Sequence, residues 1–67
     1  MKENKKLICC LLTQFVKETR AGEDVERITY YDDSQDAIII WKSGSRRQVN
    51  CYADSGIAMI RDILRAI

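Results

Sequence analysis

The chain has no histidine, and none of its three cysteines forms a Cys-x-x-Cys pair. Both absences weigh against a zinc site, whose ligands are imidazoles and thiolates at short spacings. Cys9, Cys10 and Cys51 are an odd count with two adjacent members, which is no disulfide framework. They read as small buried thiols in a reducing compartment. Long apolar runs are also missing: Leu7-Ile-Cys-Cys-Leu-Leu12 spans six residues, against the ~20 of a membrane span. That run after Met-Lys-Glu-Asn-Lys-Lys is too short for a signal peptide, so no membrane role and a cytoplasmic location are expected. Linkers, repeats and low-complexity segments are absent too, so residues 1–67 read as a single domain.

Net charge is only +1 over 67 residues, which argues against both an acidic nucleic-acid mimic and a strongly basic binder. Its distribution is uneven. Residues 1–22 carry five Lys and Arg against two acids, residues 23–36 one against six, residues 37–52 three against none, and residues 53–67 two against two. At this length roughly 60% of the unfolded surface can be buried, enough for one thin core but not for a deep cleft.

The most strand-like stretch is Asp36-Ala-Ile-Ile-Ile-Trp-Lys42. Its β-branched and aromatic residues suit a pleated surface, and turn-forming residues bound it on both sides. Three consecutive isoleucines put apolar atoms on both faces of a sheet. Upstream, Leu7, Ile8, Leu11, Leu12, Phe15 and Val16 recur at helical spacing, predicting a helix over 3–20. Its polar face is Lys5, Lys6, Thr13, Gln14, Lys17 and Glu18, and Gly22 is the expected left-handed stop. Cys9 and Cys10 broaden the apolar stripe, so this helix is expected to be covered on more than one side. After Gly22 the period falls to two over Val25–Tyr31, a strand that turns through Asp32-Asp-Ser-Gln35 into the central one.

A third strand over 46–52 follows a three-residue Ser43-Gly44-Ser45 loop, with glycine at positive φ. That choice pairs Lys42 with Arg46, Ile39 with Val49 and Ala37 with Cys51. The four-residue first turn pairs Ile28 with Ile39 and Tyr30 with Ala37. Finally, Asp54 or Ser55 caps a helix to Ile67, with Ile57, Ile60, Ile63, Leu64 and Ile67 inward. The fold class is α+β, ordered α-β-β-β-α: a three-stranded antiparallel sheet with two helices packed on one face. The opposite face then exposes Ile38 and Ile40 among Arg27, Thr29, Tyr31, Arg46, Gln48 and Asn50.

Candidate chemistry is sparse. Asp32-Asp-Ser-Gln-Asp36 begins like a calcium loop, but Ala37 stands where glycine is needed and Ser43 where a bidentate glutamate should sit. Asp54-Ser55-Gly56 resembles a nucleophile turn, yet no histidine is available to activate the serine. No catalytic residue, metal site or cofactor is therefore expected, and the chain reads as a non-enzyme. Lys42, Arg46 and Arg47 sit close in sequence, either gripping phosphates or carboxylates or solvating a sheet edge.

The α-β-β-β-α order and the length resemble the double-stranded-RNA-binding domain across nearly the whole chain. That family grips phosphate with lysines opening its second helix and with a Gly-Pro-x-His loop. Here those positions hold Asp54-Ser-Gly-Ile-Ala-Met-Ile60 and Asp32-Asp-Ser-Gln35, acidic or neutral where the family is basic. A second resemblance rests on small size, missing catalytic groups and Val49-Asn50 leading into Asp54–Ile60. In these the chain looks like small proteins of bacteriophages and mobile elements, anti-CRISPR proteins among them. Such a likeness implies an inhibitor of a host protein, acting in a bacterial or host cytoplasm.

The expected function is a protein–protein interaction module. Its partner-binding residues are Arg27, Tyr31, Ile38, Ile40, Lys42, Arg46 and Arg47, and its partner is another protein or a second copy in a homodimer. Leaving Ile38 and Ile40 wet would forgo ~2–3 kcal/mol each, and arginine and aromatic neighbours suit an anchor. The alternative is a nucleic-acid-binding domain using the basic end at Lys42, Arg46 and Arg47.

Overall fold

The first helix, α1 (Lys5–Lys17), opens on Asn4, whose side chain accepts a hydrogen bond from the Leu7 amide at 3.0 Å. That cap satisfies one of the amides left without an intrahelical partner at a helix start. The computed structural model describes residues 4–52 and 55–67. Three strands follow, β1 (Val25–Tyr31), β2 (Asp36–Trp41) and β3 (Arg46–Asn50), then α2 (Gly56–Ala66). The sheet is antiparallel with β2 central, so the α-β-β-β-α fold is as expected. Ser55 caps α2, accepting from the Ala58 amide at 3.1 Å; the rival cap, Asp54, lies outside the described residues.

The first helix ends earlier than the 3–20 prediction, and Gly22 is not its left-handed stop. Glu18 caps it in ordinary right-handed geometry, and Thr19 holds the Val16 carbonyl with both its amide (3.0 Å) and its hydroxyl (2.6 Å). Gly22 is buried, and its amide donates to the Thr19 hydroxyl at 3.0 Å. A methyl group there would lie 2.4 Å from the Val16 carbonyl oxygen. Glycine is needed for close approach of two backbones, not for its φ.

The first hairpin has the expected register, with Ile28 opposite Ile39 and Tyr30 opposite Ala37. Its four-residue turn places Gln35 at φ 56. The second hairpin is shifted by two. Ala37 faces Val49 and Ile39 faces Arg47, because the three-residue loop is Lys42-Ser43-Gly44, closed by Trp41 and Ser45. The bulged form of this loop demands positive φ at its third residue. Gly44, at φ 94, must therefore be third and cannot be second. A shift of two preserves side-chain parity, so Val49 still faces the helices. Cys51 falls beyond β3, its amide donating to the Gln35 carbonyl at 3.0 Å.

An irregularity between Val25 and Arg27 turns Val25 onto the helix side, fully buried. The core joins Cys9, Leu12 and Val16 of α1 with Val25, Ile28, Tyr30, Ala37 and Ile39 of the sheet, and Met59 and Ile63 of α2. Thr13, expected on the solvated side of α1, instead sits half-buried on the free edge of β1. Its hydroxyl accepts from the Ile28 amide at 3.0 Å and donates to the Cys9 carbonyl at 2.8 Å. This occupies a backbone donor that an edge strand would otherwise offer to another chain.

Of the three cysteines, Cys9 and Cys51 are buried, whereas Cys10 is exposed, against expectation. Burial pushes the Cys9 thiol up to about 11, with neighbouring Cys51 adding to the effect. The folded state thus holds this proton more tightly than the unfolded chain. Its contribution to stability is complete below pH 9 and is lost as pH rises through 11. Urea unfolding should show stability roughly 2 kcal/mol lower at pH 11 than at pH 8 from this group. Cys9→Ala should flatten the dependence by that amount, and an unchanged slope in the variant would refute the assignment.

Candidate interaction surface

On the sheet face away from the helices, side-chain alternation arranges three rows across the strands. Arg27, Ile40 and Arg46 form one, Thr29, Ile38 and Gln48 the next, and Tyr31, Asp36 and Asn50 the last. Sequence reasoning grouped Arg27, Tyr31, Ile38, Ile40 and Arg46 here, and the register brings them together. The face is less apolar than expected, however. Ile40 is only 7% exposed, and Ile38 is half-buried. Ile40 is flanked across the strands by two arginines, whose aliphatic stems can lie along apolar surface while their heads stay wet. Asp36, which opens β2, is also buried, and its carboxylate accepts from Gln48 Nε2 at 2.6 Å.

The basic residues do not converge. Arg46 belongs to the open face, Arg47 opposite Ile39 faces the helix side, and Lys42 lies in the turn with its amide on the Asp24 carbonyl at 2.8 Å. Lys6 is already paired with Asp32 at 2.9 Å on the surface. Its ammonium is held above its usual range by that hydrogen bond and by the charge of Asp32. These cations are scattered over three directions, unlike the single stripe of a phosphate-tracking surface.

Among the described residues, five of the seven exposed large hydrophobic side chains lie on the helices. Leu7, Leu11 and Phe15 recur every fourth residue along α1 and remain 51, 56 and 61% exposed. On α2, Ile57 is 77% exposed and Leu64 is also exposed. Ile57 and Leu64 were both expected inward; the inward position is taken by Met59, fully buried one turn before Ile63. Between the helices runs a groove of about 320 Å³ lined only by Ile8, Leu11, Leu12, Phe15, Ile60 and Leu64. Comparison with protein-family models, curated proteins and solved structures found no match. The chemistry of this surface must therefore be read from its own residues.

That surface was legible in part. The breadth of the α1 stripe was the signal, since a helix that packs one face against a sheet needs a narrower apolar arc than six residues plus two cysteines supply. Among the described residues no group of three or more His, Cys, Asp or Glu could hold a metal ion. No described helix is long and apolar enough to cross a membrane.

Proposed function

We propose that the chain is a small non-enzymatic protein–protein interaction module that docks through the apolar groove between α1 and α2. The observation that carries this reading is the row Leu7, Leu11, Phe15, left more than half exposed beside a groove with no polar lining. A contiguous apolar patch bounded by polar residues is what interaction surfaces present. Phe15, the only phenylalanine in the chain, is its aromatic anchor. The open sheet face supports the same role less well, since Ile40 is already covered. The groove asks only for an apolar surface, which a host protein or a second copy of the chain could supply.

The test uses the tagged chain as bait in a bacterial lysate beside two variants. A protein held by wild type and by Ile38→Lys/Ile40→Lys, but released by Leu11→Glu/Phe15→Glu, is the expected result. Leu11 and Phe15 are exposed, so the second variant should keep the wild-type circular dichroism spectrum. Identical captures by wild type and Leu11→Glu/Phe15→Glu would remove the groove from the function.

A further inference from the structure

We infer that the groove between α1 and α2 is occupied by a second copy of this chain, packed face to face across a two-fold axis. This rests on the docking reading above and names its partner. Three features of the patch carry it, namely its area, its shape and its rim.

Fully burying an exposed aliphatic side chain removes about 100 Å² of apolar surface from water. At 42–77% exposure, the five side chains Leu7, Leu11, Phe15, Ile57 and Leu64 therefore leave roughly 300 Å² of apolar surface, within the range for the largest patch on a monomer. Interfaces are about 60% apolar. A patch with roughly 300 Å² of apolar surface thus belongs to an interface of about 500 Å² per partner, the size of a weak, reversible complex.

In shape, the same patch offers both a ridge and a groove. Leu7, Leu11 and Phe15 form a ridge at intervals of four residues, and the hollow beside it runs between this ridge and Ile60 and Leu64. Ridges at that spacing pack into grooves of the same kind. A two-fold axis can seat each ridge in the other copy's groove, and such an axis requires only one self-complementary surface.

The rim carries opposite charges at its two sides. Glu18 follows one turn after Phe15 at the end of α1, while Arg61 lies one turn from both Ile57 and Leu64, with Arg65 a turn further. All three are exposed. Laying the α1 side of one copy along the α2 side of the other sets the Glu18 carboxylate against the Arg65 guanidinium, Arg61 being paired with Asp62 at 3.4 Å, and keeps the arginines of the two copies apart.

Sedimentation equilibrium of the wild-type chain from roughly 10 to 500 µM should show a reversible monomer–dimer equilibrium within the micromolar range. Leu11→Glu and Phe15→Glu should each weaken it by at least about tenfold, and Ile38→Lys should leave it unchanged. In the wild type alone, dilution should shift the amide resonances of Leu7, Leu11, Phe15, Ile57 and Leu64, a readout that needs no variant to fold. A wild-type chain that stays monomeric throughout overturns the inference, leaving docking of a different protein to be decided by the lysate capture. A dimer that survives Leu11→Glu/Phe15→Glu overturns it as well, because its contact then lies elsewhere.

Discussion

Gly22→Ala is expected to cost about 3 kcal/mol of stability, at the upper end for an overpacked site. The added methyl would stand 2.4 Å from the Val16 carbonyl oxygen and 2.9 Å from both the Val16 carbonyl carbon and Cβ. The nearest obstacles are backbone, so no rotamer change relieves them. Either the end of α1 or the turn into β1 must move. Moving the turn breaks the Gly22 amide bond to the Thr19 hydroxyl and the Val25 amide bond to the Gly22 carbonyl, both 3.0 Å. A 67-residue domain has a total stability of only ~3–10 kcal/mol, so this one methyl removes a large share of it. Gly44→Ala separates the two roles a glycine can have. Nothing lies within 4 Å of its Cβ position, and the strain comes from φ 94 alone, worth about 1–2 kcal/mol. Urea midpoints of the two variants should therefore fall in the order wild type, Gly44→Ala, Gly22→Ala. A Gly22→Ala midpoint at or above that of Gly44→Ala would mean the two backbones are not pressed together.

The architecture was legible because each element carried its own period and its own stop. Val25–Tyr31 and Asp36–Trp41 alternate or run apolar between turn residues, and the α1 and α2 residues recur at three and four. Positions that depend on two elements at once were harder to read. Whether Gly44 is the second or third loop residue is invisible in Ser43-Gly44-Ser45 by itself; the answer follows only once the bulged turn's demand for positive φ at its last position is imposed. Gly22 looks the same whether it supplies an unusual φ or a missing methyl. On α2, Ile57 and Met59 are both plausible inward residues until the packing angle against β3 and α1 is known, and the structure chooses Met59. The same ambiguity hides the exposed helix surface in the sequence. Apolar periodicity counts the residues on a helix face but not how many of them a three-stranded sheet can cover, and Leu7, Leu11 and Phe15 are the remainder. On the sheet, parity assigned Ile40 to the open face correctly, but flanking by Arg27 and Arg46 depends on a register that the loop decides.

The three isoleucines of β2 provide the sharpest test of this division between covered and uncovered surface. Ile39→Ala is expected to cost about 3–4 kcal/mol, within the range for truncating a fully buried isoleucine. Ile39 is 0% exposed at the centre of the sheet, opposite Ile28, where the core of α1, α2 and the strands meets. The loss is a large share of the ~3–10 kcal/mol available to so small a domain, so the urea midpoint of the variant should fall far below that of wild type. Ile38→Ala, half-buried between Thr29 and Gln48 on the other face, should cost about 1 kcal/mol, because less apolar area returns to water. Ile40→Ala should fall between them. Ile40 lies opposite Arg27 and Arg46 across the strands, whose long aliphatic stems can close over a gap more readily than a packed core can. The order Ile39, Ile40, Ile38 follows from a sheet packed against the helices on the Ile39 side and open on the other. Equal costs at Ile38 and Ile39 would place a second layer over the open face. The sheet would then be the surface with a missing partner, and the ridge on α1 would lose its claim to be the docking side.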